Sequence, residues 1–253
     1  MPRQLDVKPW VKRFPGGSNG AFSNGALSDG AIVVFPHAGG AAAAYRGFAS
    51  ALAGHGTDAY IVQYPQRADR LAHPATESLE ELAAELFDAG QWSQAGPLRL
   101  FGHCMGALVA FEFARFADAR GVPVEHLWAS SSQAPGEVAA SPRVPTTDRE
   151  LLADMVDLGG TDPRLLADED FIDMLLPSMR ADYRAWNRYS RETDVQISAD
   201  IHAVGGHSDH RVQPESLQQW KSHTTGQFTF EMFEGGHFYL NDHLDTLARQ
   251  VNV

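Results

Sequence analysis

A single cysteine, Cys104, occurs in the 253 residues, so no disulfide can form within the chain. With so little cysteine, and no long apolar run of the secretory kind from Met1 to Phe14, the expected location is the reducing cytoplasm. Basic residues are also scarce: 20 Lys and Arg face 32 Asp and Glu, a net charge of −12. Sequence-independent nucleic-acid binding, which rests on neutralising phosphates, is thereby argued against. Nowhere does an apolar stretch approach the roughly 18 residues of a membrane span, and no bilayer span is expected. No internal repeat is evident, and one domain covering 1–253, a monomer, is the expectation.

Short, continuous strand-like runs are plentiful by contrast, the first of them β-branched. Ala31 to Phe35, Ala59 to Gln63, Leu98 to Phe101, His126 to Ser130, Ile201 to Val204 and Phe228 to Phe233 predict six buried strands, and Trp10 to Phe14 an edge strand. Helical spacing fills the gaps at Ala42 to Ala53, Ser78 to Ala89 and Cys104 to Ala119. Strands alternating with helices predict an α/β chain with a mostly parallel sheet covered on both faces. Two stretches break the alternation. Residues 16–30, rich in Gly, Ser and Asn, read as a flexible linker or loop. Residues 134–194 read as an inserted lid, helical throughout, whose apolar side chains either line an acyl chamber or pack on the core.

The most informative stretch runs from Leu98 to Ala107, where a strand enters a helix through Gly102-His103-Cys104-Met105-Gly106. Two glycines in such a turn remove side chains that would collide, and they lift the central residue out of the sheet. At the first turn of a helix, unpaired N–H groups and the positive end of the dipole favour an anion nearby. Cys104 is therefore the candidate nucleophile. Acyl transfer also needs amide donors for an oxyanion, and the Met105 N–H and the Ala38 N–H in the Gly-rich Pro36-His37-Ala38-Gly39-Gly40 loop are the candidates. The chain order nucleophile, acid, histidine then selects Asp209, at the far end of a Gly-rich loop after a strand, and His237 in Gly235-Gly236-His237-Phe238. A metal reading of His207-Ser208-Asp209-His210 fails for want of further matched ligands, so no metal is expected.

Together these motifs resemble the type II thioesterases that accompany nonribosomal peptide and polyketide synthases. The likeness also draws on Gln63-Tyr64-Pro65 with Arg67, Val109 to Glu112, and Ser130 to Ser132 with Ala134-Pro135. It implies an α/β-hydrolase fold with a helical lid and a Cys104–His237–Asp209 triad. It also implies no cofactor other than the phosphopantetheine arm on a partner, an acyl or peptidyl carrier protein. The family usually has serine at the elbow. A cysteine there exchanges one thioester for another, nearly thermoneutrally, so two outcomes stay open: hydrolysis, and carrier-to-carrier acyl or aminoacyl transfer. A generic esterase and a noncatalytic carrier-binding protein are the remaining readings. Substrate or carrier contacts are expected at His37 and His103, and at Arg180, Arg184 and Arg188, whose spacing of four puts them on one helix face. That face is alternatively a solvated one paired with Asp182 and Glu192, and Arg191 is its expected extension.

Overall fold

The computed structural model describes residues 10–14, 32–94, 97–162 and 164–252; the expected 16–30 linker lies outside them. Among the described residues, seven strands form one sheet: β1 (Val11–Phe14), β2 (Ile32–Phe35), β3 (Ala59–Val62), β4 (Leu98–His103), β5 (Val124–Ser130), β6 (Asp200–Gly206) and β7 (Phe228–Phe233). Their order is β1-β3-β2-β4-β5-β6-β7. Only β1 runs antiparallel, pairing with β3 at the edge; every other pairing is parallel.

Central strands read as unbroken apolar runs because helices cover both faces, and β2, β3 and β4 are buried along their whole length. The sixth expected buried strand differs. β7 closes the far edge, so its residues are half-exposed or exposed until Phe233, which is buried. Among the described residues, seven α-helices accompany the sheet: α1 (Arg46–Gly54), α2 (Leu79–Asp88), α3 (Met105–Ala119), α4 (Asp148–Leu158), α5 (Glu169–Arg188), α6 (Pro214–Gln218) and α7 (Leu244–Val251). α3 is buried on nearly all sides because it follows the central strand and packs against α2 and the sheet. No helix among the described residues is long and apolar enough to cross a membrane.

Residues 134–194 are not helical throughout. A 3-10 turn (Pro135–Ala140), α4 and α5 are separated by irregular segments, and Gly159 in the left-handed region (φ 74°) ends α4. α5 carries the amphipathic pattern of a cap, with Leu176, Met179, Tyr183 and Trp186 turned inward. Ties beyond apolar packing hold this region down. Glu112, fully buried on α3, accepts from Tyr189 Oη (2.7 Å) and from Arg191 Nε (2.7 Å) just after α5. Burial would raise the Glu112 carboxyl, but Arg191 and Tyr189 outweigh it and hold it below its ordinary value. Arg191 therefore turns inward and does not extend an outward arginine face.

Candidate active site

Parallel strands end together, and the site lies where β4, β6 and β7 end. Cys104 follows β4 directly and sits at φ 54°, ψ −123°, a conformation that costs a non-glycine residue on the order of 1–3 kcal/mol. Its neighbours leave no alternative. A Cβ on Gly106 would lie 2.0 Å from the Phe35 carbonyl oxygen, and one on Gly102 would lie 2.4 Å from Ala107 Cα. The elbow is thus pressed between β2 and the start of α3, with the Cys104 N–H bonded to the Ser130 carbonyl (2.8 Å).

His237 and Asp209 arrive from the next strands. Asp209 Oδ2 bonds His237 Nδ1 at 2.8 Å, while Oδ1 accepts the N–H groups of Arg211 (2.9 Å) and Val212 (3.2 Å). Both side chains are almost fully buried. Gly206 has room only for hydrogen, since a Cβ there would meet the Gly236 carbonyl at 2.3 Å; this close approach docks the two loops. Burial would lower the His237 imidazole, but the Cys104 sulfur and the Asp209 carboxylate outweigh it and raise it to about 9. Among the described residues Nε2 of His237 has no hydrogen-bond partner of ordinary geometry, yet the Cys104 sulfur is near enough to raise the imidazole. Burial opposes ionisation of Asp209 as well, and His237 with the two backbone N–H groups lowers it nonetheless.

Cys104 and His237 face a cavity of about 500 Å³ with a mostly apolar wall. Apolar lid residues line it, among them Met155, Phe171, Met174, Leu175, Met179 and Tyr183. Leu151 and Leu176 pack on the core instead, and Trp186 lines a second, narrower cavity that also reaches Cys104 and His237. Ala38 lies in the wall of the large cavity, and Met105 opens α3, where first-turn N–H groups have no intrahelical acceptor. His37 also lines that cavity; burial, then the charge of His237, push it down to about 3, so it is neutral. Its Nδ1 bonds Tyr45 Oη at 2.8 Å.

His103 lines neither cavity that reaches Cys104. As the last residue of β4 it is fully buried and bonds Ser130 Oγ (2.9 Å), which in turn bonds Tyr239 Oη (2.9 Å). Its ring stands behind His237, with centroids 5.3 Å apart. The α5 arginines also lie apart from the cavity. Arg180 pairs with Asp148 and Arg188 with Glu77, whereas Arg184 is exposed.

Asp182 corrects the expectation of a solvated pairing on that face. Arg180 and Arg184, two residues to either side, are half-buried and exposed, but Asp182 points into the core and pairs with Arg67. The same oxygen, Oδ2, accepts the Gly39 N–H at 2.8 Å, and Arg67 Nε donates to the Gly40 carbonyl at 2.9 Å. One carboxylate from α5 therefore clamps the loop that carries Ala38. Burial pushes the Asp182 carboxyl up, opposed by Arg67 and the Gly39 N–H. A second tie joins Tyr183 Oη to Asp154 Oδ2 on α4 (2.6 Å), with Arg211 paired to Asp154. Sequence reasoning missed both; the heptad position of Asp182 on the inner face of an amphipathic helix was the available signal. Gln66 was missed too. It lines the large cavity in the left-handed region (φ 62°), with Oε1 buried and unpartnered.

The profile of the thioesterase domain family matches residues 31–253. The chain belongs to this family. Phenyloxazoline synthase MbtB of Mycobacterium tuberculosis is 60% identical over 253 residues, all of this chain and 17% of that protein, so this thioesterase chain spans 17% of the synthase's length. Thioesterase PikA5 of Streptomyces venezuelae is 36% identical over 254 residues, 99% of this chain and 87% of PikA5. Among solved structures, the type II thioesterase BorB from the borrelidin biosynthetic cluster has a TM-score of 0.80 at 36% identity, covering 97% of this chain and 96% of BorB. The fold of this thioesterase is the α/β-hydrolase fold, with its mostly parallel sheet flanked by helices.

Proposed function

We propose that the chain is a type II thioesterase-like enzyme that takes acyl or aminoacyl groups from carrier-protein thioesters through a Cys104 acyl-enzyme. The observation that carries this reading is the buried Asp209–His237 pair beside the sulfur of a strained strand-to-helix elbow, over an apolar cavity of about 500 Å³. His237 takes the thiol proton, and the thiolate so formed is the attacking species. Cys104 sulfur adds to the thioester carbonyl, and the oxyanion takes the Ala38 and Met105 N–H groups. Collapse expels the pantetheine thiolate, which receives the His237 proton. Water then attacks the Cys104 thioester, passing its proton to His237, and a carboxylic acid leaves. Asp209 fixes the tautomer that keeps Nε2 toward the sulfur.

The likeness to type II thioesterases of the borrelidin cluster and the yersiniabactin NRPS/PKS pathway supports a carrier protein as the substrate's source. A cytoplasmic location and a monomeric state fit this reading, and Arg180, Arg184 and Arg188 are its candidate carrier contacts. A second reading follows from the sulfur itself. An acyl group on Cys104 remains a thioester, so a second carrier thiol can take it up without an energetic penalty, making the enzyme a shuttle.

One experiment tests both. A carrier loaded with a labelled acyl group is mixed with enzyme, with and without a second unloaded carrier. Labelled free acid in both mixtures supports the thioesterase; label on the second carrier supports the shuttle. Retention of all label on the first carrier would overturn both.

A further inference from the structure

Arginines around α5 are not equivalent. Arg180 and Arg188 have carboxylate partners, but Arg184 and Arg143 are exposed and form no ion pair among the described residues. These two, with Arg188, line a surface depression of about 390 Å³. Glu150 is its single lining carboxylate among the described residues, and it already accepts from Thr147 Oγ1 (2.6 Å). With Arg188 paired to Glu77, two unpaired guanidinium groups face one carboxylate here, on a chain of net charge −12. Such a place attracts an anion, because the field around unpaired arginines is local while the surrounding surface repels.

The depression is also held in shape. Asn187 on α5 accepts the Val144 N–H (3.0 Å) and donates to the Val144 carbonyl (2.8 Å), fixing the segment that carries Arg143 against the helix that carries Arg184. Val144 has a second neighbour. It lines the narrow cavity, about 30 Å³, that reaches Cys104 and His237 between Tyr183 and Trp186. A space of that size admits about two or three water-sized groups, a constriction beside the sulfur and too little for a bulky acyl group. The roomy apolar cavity and the narrow one therefore meet at the sulfur from different sides.

We propose that the depression between Arg143 and Arg184 binds the phosphate of the phosphopantetheine arm, whose linear amide chain passes Val144 to bring its thioester to Cys104. The acyl group then occupies the large cavity. Guanidinium forks suit phosphate oxygens, bonding them in pairs. The proposal rests on the thioesterase reading and adds to it a binding site for an anion.

The test compares two protein-free substrates with the same acyl group, a 4′-phosphopantetheine thioester and a pantetheine thioester. The expected kcat/KM ratio is at least about tenfold in favour of the phosphorylated arm. In R143A/R184A that ratio falls to near one, and R143K/R184K retains part of it. A ratio near one in the native enzyme, or a full ratio in R143A/R184A, overturns the site. A loss seen with carrier-borne substrate but not with the free phosphopantetheine thioester also overturns it, assigning the arginines to the carrier's acidic surface instead. Turnover of neither substrate would sink the thioesterase reading, an outcome distinct from all of these.

Discussion

Removing the Asp182 carboxylate tests how the lid helix and the amide loop depend on each other. In Asp182→Ala, Arg67, which is 6% exposed in the native protein, loses its ionic partner, and the Gly39 N–H loses its acceptor. Breaking one side of a buried pair costs about 3–5 kcal/mol, because the remaining charge is neither solvated nor compensated. Against a total stability of about 5–15 kcal/mol, the variant should still fold but unfold at much lower urea. Replacing both partners with apolar residues, Arg67→Met with Asp182→Leu, should restore most of that stability. Activity should not follow. With nothing fixing the Gly39 N–H, the Ala38 amide loses its position, and a misplacement of an ångström costs about a hundredfold in rate. Urea titration and acyl-release kinetics on the single and double variants are the assays. A destabilisation below about 1 kcal/mol, the range of an exposed pair, would refute the energetic argument. Native kcat in the double variant would refute the coupling to the loop.

His237 gives a pH signature. Its folded value, about 9, lies above the ordinary 6.5, so the stabilisation from its proton is complete below about pH 6.5 and is lost as pH rises through 9. Cys104→Ala removes the sulfur that helps hold the proton, so NMR of the His237 ring should show deprotonation at lower pH; an unchanged midpoint would contradict the coupling. Glycine substitutions give opposite outcomes at two sites. Gly106→Ala places a methyl 2.0 Å from a backbone oxygen and should leave the protein insoluble or sharply less stable on heating. Gly54→Ala, in α1 with nothing within 4 Å, should gain about 0.5–1 kcal/mol; equal melting temperatures for the two variants would be inconsistent with the elbow geometry.

Local patterns carried the fold far. The β-branched run at Ile32–Phe35 and the largely apolar Leu98–Phe101 predict buried strands because a doubly covered parallel sheet demands them, and Gly102 and Gly106 announce the elbow because no side chain fits there. β7 was over-read because edge position depends on sheet order, which no single run encodes. Asp182 was misplaced for a similar reason. Spacing of four puts the arginines on one face of α5, but which residue between them turns inward is set by Arg67, 115 positions away. His103 was read with Cys104 as part of one motif, although consecutive residues at a strand end point to opposite sides. The linkage of Tyr183, Asp154 and Arg211 joins three separate segments and leaves no mark in any of them.

The central claim is a covalent bond between the acyl group and Cys104. Mixing enzyme with an excess of acyl-loaded carrier, quenching in acid and weighing the intact protein should show a mass increase equal to the acyl group. Digestion should locate it on the peptide containing Cys104, and Cys104→Ala should show neither adduct nor release. Acyl release at the native rate by Cys104→Ala would contradict the account.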